Sequence, residues 1–317
     1  MVRIRTRRYP TKRRIDERLL LVYLITLVAG LVMIYSTSSM LAEARFGSHL
    51  HFLWHQALWA IMSLAAIAVI CKLDLAKAAP YSPLAFLGML VALSAVFLMP
   101  ERNSAHRWLE IGPMTVQPSE LFKFVMVFFL AFSLSNQKRD IGDTRQLLRR
   151  YGPLLGTGLV LILLEPDLGT TIVAFMTALG IFYLAGARVK HLAMALVPSI
   201  GAAAFFVFVL GYKKARVLDY LVSVQDPLQG SYQVRQAALT LGAGGIFGTG
   251  LGDGRQKLFF LPYPHTDFAF AAMGEEIGLI GLLVVLTCLF YILWRGLKIA
   301  SAQPDRFGYL LASGMTL

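Results

Sequence analysis

The sequence predicts an all-α polytopic membrane protein, a bundle of helices that cross the bilayer several times. Hydrophobic residues make up 57% of the 317 residues, and charged residues make up only 15%. A soluble domain carries roughly 25% charged residues. Apolar runs follow one another along the whole chain, and an apolar helix of about 20 residues crosses the lipid core. Lipid is therefore the predicted solvent for most of the chain.

Eight apolar runs predict eight membrane spans. The first is too long for the core of a signal peptide, which predicts an uncleaved helix. The fifth is short, so a neighbouring segment could complete it. A ninth begins near Phe307 and is cut off at Leu317, which predicts a fragment of a longer protein. The eight runs cover roughly 19–41, 52–70, 81–99, 119–135, 151–164, 170–187, 192–210 and 267–294.

The placement of Lys and Arg predicts the orientation. The N-terminal tail 1–18 and the alternate loops after it hold 20 of the 30 basic residues, whereas the opposite loops hold nine. Because cytoplasmic loops collect Lys and Arg, the tail is predicted to be cytoplasmic, followed by a transmembrane domain over 19–317. The loops 100–118, 165–169 and 211–264 then face outward.

The largest outer loop, 211–264, lies between the seventh and eighth spans. It has 54 residues, and segment 231–241 has the apolar spacing of an amphipathic helix. This loop contains six basic residues and three acidic ones, which gives it a net positive charge. A net charge of +12 would suggest a nucleic-acid partner in a soluble protein. Here the charge follows the membrane topology, and no nucleic acid is expected.

The first motif, residues 103–123, leads from an outer loop into the fourth span. Pro118 is typical of a helix start. Glu120 and Lys123 are three residues apart and therefore share a helix face. Charges at membrane depth usually face a bundle interior or a wet cavity, so the pair is either an internal ion pair that holds helices together or part of a cavity wall. Trp108 is either an interfacial aromatic residue or a functional one.

The second motif, EPDLGTT at 165–171, is a tight outer turn between two spans. Asp167 could cap the helix that follows. Glu165 and Asp167 could together bind a divalent cation. This pair is the only indication of a cofactor in the sequence, and it does not identify the metal.

The third motif, residues 242–278, combines a glycine-rich stretch with the carboxylates Asp267, Glu275 and Glu276. The stretch Gly248–Gly254 lacks the spacing of a nucleotide-binding fingerprint, and we interpret it as a tight loop that could touch phosphate. Asp267 opens the next long apolar helix, either as a cap or as a functional carboxylate. Glu275 and Glu276 follow, with Glu276 about 13 Å deeper, and carboxylates at that depth need partners or protonation.

These stretches resemble the SEDS family of proteins for shape, elongation, division and sporulation. The resemblance spans nearly all of the chain, and residues 250–262 are more similar to division-type than to elongation-type members. The residues that carry it are GLVMIYSTSS at 30–39, RWLEIGPMTVQPSELFK at 107–123, EPDLGT at 165–170, SYQVRQA at 231–237 and LPYPHTDFAFAAMGEE at 261–276.

The resemblance implies a ten-span fold and a glycosyltransferase that polymerises lipid II into glycan strands on the outer face of the bacterial cytoplasmic membrane, at the division septum. It implies a class B penicillin-binding protein and other division proteins as partners. The essential acid of the family falls on Asp267, its loop tryptophan on Trp108, and its fourth-span charges on Glu120 and Lys123. The chain departs from the family pattern at Tyr263, at Pro264 and at Ala269, and it stops before the last two spans.

The chemistry of lipid II polymerisation predicts the roles of individual residues. Joining an α-linked sugar diphosphate through a β-1,4 bond inverts the anomeric carbon, so a single displacement suffices. Asp267 is the predicted base for the acceptor hydroxyl. Arg216, Arg235 and Lys257 are predicted to bind the diphosphate.

Three alternatives stay open. A secondary transporter that flips lipid II would use the intramembrane charges as a polar path, although no inverted repeat is evident. An elongation-type polymerase would perform the same chemistry. A structural scaffold would perform none.

Overall fold

Nearly all of the described chain is helical. The computed structural model describes residues 15–100, 106–112, 114–136, 144–209, 211, 214–254, 261 and 266–317, with the backbone alone at 111, 114, 144–149, 202, 203, 206 and 216. Its only sheet in this part of the chain is a two-stranded hairpin. The chain divides into a first unit, Met1–Ile67 with Asp219–Arg295, and a second unit, Ala68–Leu218 with Gly296–Leu317. The predicted fold class is confirmed.

Five helices in the described ranges are long and apolar enough to cross a membrane. They are α1 (Glu17–Phe46), α2 (His51–Lys72), the composite segment Leu75–Leu98, α5 (Pro118–Ser135) and α11 (Ala269–Ser301). The composite segment joins α3 (Leu75–Ala78), a 3₁₀ turn at Ala79–Tyr81, α4 (Ser82–Ala95) and a 3₁₀ turn at Val96–Leu98.

Three further helices contain shorter apolar segments: α6 (Thr144–Leu164), α7 (Leu168–Leu184) and α8 (Val189–Phe208). Each of the eight predicted runs thus falls on a helix to within a few residues. The fifth, predicted as short, is the apolar part of the 21-residue α6. The number of spans itself stays a prediction.

Four smaller elements complete the described fold. The predicted helix over 231–241 is confirmed as α10 (Tyr232–Gly244), and the run near Phe307 as α12 (Arg306–Thr316). Two elements were not predicted. One is α9 (Lys214–Gln225) in the large outer loop, and the other is the hairpin of β1 (Leu109–Ile111) and β2 (Met114–Val116).

Helix α5 is the central helix of the second unit. Half of its most apolar window is buried within the protein, against 6% for the corresponding window of α1. Phe122, Met126 and Leu130 recur at four-residue spacing and are fully buried, in the core formed with α4, α6, α7 and α12. Since α1 buries so little of its apolar surface inside the chain, lipid is the solvent for most of that surface.

An ion pair closes one end of the first unit. Arg295 donates from Nε and Nη2 to Asp16 Oδ2 at 2.9 and 2.8 Å, and Asp16 Oδ1 accepts from the amide of Leu19 as the cap of α1. The hydrogen bond from Arg295 lowers the pKa of Asp16 below its ordinary value. The start of α1 and the end of the apolar part of α11 therefore lie at the same end of this unit, as two segments predicted to be cytoplasmic should.

Two glycines of α6 provide a matched test of packing. A Cβ added at Gly158 would overlap the buried ring of Phe122, whereas a Cβ at Gly156 would meet nothing within 4 Å. We expect Gly158→Ala to destabilise the protein by about 1–3 kcal/mol, because overpacking forces the ring out of place. Gly156→Ala should be neutral or slightly stabilising, because Ala favours a helix over Gly. Thermal unfolding of the two purified variants checks this, and equal midpoints would contradict the packing described for α5 and α6.

Candidate active site

The hairpin of β1 and β2 in the second unit leads directly into α5. Its strands pair Leu109 with Val116 and Ile111 with Met114, and Gly112 adopts a φ of +63° in the turn. Trp108 stands immediately before β1 with 37% of its surface exposed. The hairpin therefore delivers an accessible aromatic side chain beside the start of a buried helix.

Glu120 and Lys123 form the ion pair that their spacing predicts. Lys123 Nζ lies 2.8 Å from Glu120 Oε2, and the lysine side chain is 23% exposed against 50% for the glutamate. Both residues belong to α5, so this contact lies within one helix and does not join two helices. The interpretation as an ion pair that holds helices together is wrong for this contact, and a role in a cavity wall stays a prediction.

A guanidinium joins the hairpin region to the turn between α6 and α7. Arg107 donates from Nε to the carbonyl of Glu165 at 2.8 Å and from Nη2 to the carbonyl of Pro166 at 2.5 Å. Gln117 Nε2 donates to Asp167 Oδ2 at 3.2 Å. Sequence patterns do not predict a partner for Arg107 or Gln117, because both contacts join residues at least 50 positions apart.

The predicted capping role of Asp167 is confirmed. Its Oδ1 accepts from the amide of Thr170 at 3.1 Å, and its Oδ2 accepts from the Thr170 hydroxyl at 3.0 Å. Together with the bond from Gln117, both carboxylate oxygens are occupied. The side chain thus serves the start of α7.

Glu165 is a buried carboxyl group without a hydrogen-bond partner in the described residues. The residue is fully buried, and neither carboxyl oxygen has a partner of suitable geometry there. Burial raises the pKa of Glu165 to about 7, aided by the charge of Asp167 and opposed by the Ser119 hydroxyl and Arg107.

The divalent cation predicted at Glu165 and Asp167 stays a prediction. Glu165 offers two free oxygens, but those of Asp167 are engaged, and the described ranges contain no group of three potential metal ligands. A hard divalent cation takes six or more oxygen ligands, so these residues would need substrate oxygens or water to complete a site.

Asp267 lies in the turn just before α11, in the first unit, and its side chain is exposed. Backbone bonds from Ala269 to Thr266 and from Ala272 to Phe268 form the first turns of the helix. The carboxylate of Asp267 accepts no hydrogen bond from any residue that the structure describes. The described residues therefore do not support the interpretation as a helix cap, and a role as a functional carboxylate stays a prediction.

The glycine-rich stretch contacts a break in α11 rather than standing alone. Gly278 adopts φ +66° and ψ −174°, which interrupts the helix. The amides of Thr249 and Gly250 donate to the carbonyls of Glu275 and Glu276, at 2.9 and 3.1 Å. In return, the amides of Leu279 and Ile280 donate to the carbonyls of Gly245 and Ile246, at 3.0 and 3.2 Å. We call this contact of residues 244–250 with 274–280 the clasp.

The two buried glutamates lie at the clasp, each with 2% of its surface exposed. The hydroxyl of Ser36 lies 2.8 and 2.6 Å from the two carboxylate oxygens of Glu276. The expectation that carboxylates at this depth need partners is confirmed for Glu276. Its partner lies 240 residues away in α1, where no local pattern could reveal it.

The predicted diphosphate-binding residues are only partly described. Arg235 is exposed on α10, with its guanidinium 5.9 Å from the ring centroid of Tyr232. Arg216 belongs to α9 and is described by its backbone alone, and Lys257 lies outside the described residues. Trp108, Glu120 and Lys123 belong to the second unit, whereas Arg235 and Asp267 belong to the first.

An apolar cavity of about 780 Å³ lies in the second unit between α6, α7 and α8. Leu159, Phe175 and Leu196 are among its lining residues. His191 also lines it, and its Nδ1 is buried without a hydrogen-bond partner among the described residues. The walls suit a hydrocarbon chain rather than a hydrated ligand.

Apolar helices in this number define a polytopic α-helical membrane protein. The family model described as "Cell cycle protein", which covers FtsW, RodA and SpoVE, matches residues 17–317. The chain belongs to this family, and the predicted SEDS membership is confirmed.

Curated relatives agree with that assignment. The chain is 36% identical over 310 residues to stage V sporulation protein E of Bacillus subtilis, covering 95% of this chain and 83% of the relative. It is 34% identical over 306 residues to the probable peptidoglycan glycosyltransferase FtsW of Geobacter metallireducens, covering 94% and 82%. It is 37% identical over 294 residues to the protein of that name from Nitrosococcus halophilus, covering 90% and 75%.

Solved structures show the same fold. A chain of a peptidoglycan synthase complex that coordinates polymerization and crosslinking superposes with a TM-score of 0.75 at 23% identity, covering 95% of this chain and 82% of the other. The rod shape determining protein RodA of Thermus thermophilus gives 0.68 at 21% identity, covering 97% and 82%.

The raised pKa of Glu165 predicts a pH-dependent stability. Between about pH 4.5 and 7 the folded protein retains a proton on Glu165 that the unfolded chain has lost, so stability falls as pH rises through this range. The full shift corresponds to at most about 3 kcal/mol above pH 7. We expect Glu165→Gln to unfold at a higher temperature than the parent at pH 8 and to lose this pH dependence.

Thermal unfolding of the purified protein from pH 4.5 to 8 measures the effect. Glu110→Gln is the control, because Glu110 is exposed in the same unit. A Glu165→Gln profile parallel to that of the parent would show that burial does not hold the proton on this group.

Proposed function

We propose that this chain is a peptidoglycan glycosyltransferase that polymerises lipid II into β-1,4 glycan strands at the outer face of the cytoplasmic membrane. Family membership over residues 17–317 supports the reaction class, as do relatives named for this activity at 32–37% identity. The observation that supports the assignment of a site is the exposure of Asp267 just before the start of α11. Its carboxylate is exposed and unengaged by any described residue, at the predicted outer end of α11.

The reaction needs a base on one side of the sugar and charge neutralisation on the other. Asp267 removes the proton from the 4-hydroxyl of the acceptor as that oxygen attacks the anomeric carbon. The new carbon–oxygen bond forms while the bond to the diphosphate breaks, and the configuration inverts from α to β. The lipid diphosphate leaves with the electron pair and carries the charge that the protein must balance.

Cationic side chains of the outer loop supply that balance. Arg235 presents an exposed guanidinium on α10, in the same unit as Asp267. Arg216 and Lys257 belong to the same loop and add to its net positive charge.

A class B penicillin-binding protein that cross-links the nascent strands is the proposed partner, together with other division proteins. A solved synthase complex that couples polymerization with crosslinking contains a chain of this fold. Curated relatives with division and sporulation names favour a role at the septum over one in elongation.

The flippase alternative is less well supported. It relies on intramembrane charges along a polar path, yet Glu120 and Lys123 neutralise each other and Glu276 accepts a hydrogen bond from Ser36. Supplying lipid II already on the outer face separates the classes, because a polymerase forms glycan whereas a flippase or a scaffold does not.

Asp267→Asn should lower the polymerisation rate by roughly 10²- to 10⁴-fold, because the amide cannot accept the proton. The measurement is glycan formation from lipid II by the purified full-length protein with its penicillin-binding partner. Asp219→Asn is the control, since Asp219 is an exposed acid of the same outer loop. A near-parental rate for folded Asp267→Asn would remove the proposed base.

Arg235→Ala should lower kcat/KM for lipid II by roughly 10- to 100-fold, the effect of losing one hydrogen bond to a charged group. Gln233→Ala is the matched control, because Gln233 is exposed on the same helix without a charge. Steady-state kinetics across lipid II concentrations test the assignment, and equal kcat/KM for the two variants would exclude diphosphate binding by Arg235.

A further inference from the structure

The break in α11 divides it into a short half-helix, 269–277, and the long apolar remainder. A helix interrupted in a bilayer leaves backbone groups unpaired unless protein supplies partners. Here the clasp supplies these partners. Residues 244–250 donate two amide hydrogen bonds to carbonyls of the half-helix, and two of their own carbonyls accept from amides just after the break. The half-helix is therefore not anchored by continuous helical bonds to the rest of α11, and its orientation depends on what it contacts.

Glycine is required on both sides of the clasp. Gly248 and Gly278 have φ values of +84° and +66°, which side chains other than glycine rarely adopt. A Cβ at Gly248 would lie 2.7 Å from the amide nitrogen of Gly278, closer than real Cβ contacts. Gly244 also has no room, since its Cβ would lie 2.8 Å from the Cα of Glu275.

Two further contacts hold the half-helix. The Ser36 hydroxyl reaches both carboxylate oxygens of the buried Glu276. Ala271 and Ala272 are also buried, in a small cluster with Leu261 against which Ala237 of α10 packs. The half-helix is thus fixed by α1, α10 and the glycine-rich loop, all within the first unit.

We propose that Gly248, Gly278 and Ser36 are positioning residues that act through the half-helix on Asp267, which lies two residues before its first residue. The inference rests on the proposed function, in which Asp267 is the base. Misplacing a reacting group by about 1 Å can cost roughly 10²-fold in rate. The clasp therefore determines whether the exposed carboxylate of Asp267 meets the acceptor hydroxyl in a reactive geometry.

Gly248→Ala and Gly242→Ala form a matched pair. Gly242 lies nearby in α10, and a Cβ there meets nothing within 4 Å. In lipid II polymerisation by the full-length protein with its penicillin-binding partner, Gly248→Ala should lower kcat by roughly 10- to 100-fold and shift the acidic limb of the kcat–pH profile. Gly242→Ala should match the parent in both. A parental profile in folded Gly248→Ala, or a lower rate with an unshifted limb, would overturn the positioning role.

Ser36 provides a second test if Gly248→Ala does not fold. Ser36→Ala removes the hydrogen bond to Glu276, whereas Ser36→Thr keeps a hydroxyl. We expect Ser36→Ala to reduce kcat and shift the acidic limb, and Ser36→Thr to restore both. A parental rate and pH profile for Ser36→Ala would contradict the proposal.

A distance measurement separates failure of the clasp from failure of the proposed function. Spin labels at the exposed positions 270 and 283 lie on either side of the break, in a background with Cys71→Ala and Cys288→Ala. The labelled parent should give a narrow distance distribution, and Gly248→Ala a broadened or displaced one, whatever the reaction catalysed. Unchanged distances would overturn the clasp, whereas changed distances with parental activity of Asp267→Asn would overturn only the assignment of the base.

Discussion

Every backbone amide and carbonyl at membrane depth must find a partner within the protein, and this constraint explains the departures from regular helix. One such departure is at Gly278, where α11 stops and restarts. The clasp meets the constraint there with four backbone hydrogen bonds from a loop distant in sequence. Glycines are needed because the two backbones meet directly. The same loop that looks flexible by composition is thus a structural partner for a helix, and its spacing follows from that contact.

Most of the charged groups discussed here also have partners within the protein. Lys123 pairs with Glu120 within one helix, and Asp16 pairs with Arg295 at the predicted cytoplasmic end of the first unit. Glu276 accepts a hydrogen bond from the Ser36 hydroxyl, whereas burial raises the pKa of Glu165 to about 7, so that its carboxyl group stays protonated in acid. Asp267 differs from all of these, because it is exposed and unengaged by described residues. An exposed carboxylate just before the start of a helix can exchange a proton with a ligand.

Sequence patterns predicted the features that depend on local chemistry. Apolar runs gave the helices, the spacing of Val234, Ala237 and Leu241 gave α10, and the turn residues gave Asp167 as a cap. They did not give the break at Gly278, because an isolated glycine is tolerated within a helix and only a distant backbone shows why it bends here. The contact of Ser36 with Glu276 and the bonds from Arg107 escaped for the same reason. Each joins positions that no periodicity relates.

The position of Asp267 at the end of a separately held half-helix has a physical consequence for its proposed role as the base. A carboxylate at the start of an unbroken membrane helix would share the tilt and displacement of the whole span. Here the break leaves Asp267 attached to a nine-residue segment, 269–277, whose contacts lie in α1, α10 and residues 244–250. The remaining span bonds to the same loop through the amides of Leu279 and Ile280. A displacement of the loop would therefore reach Asp267 through the half-helix.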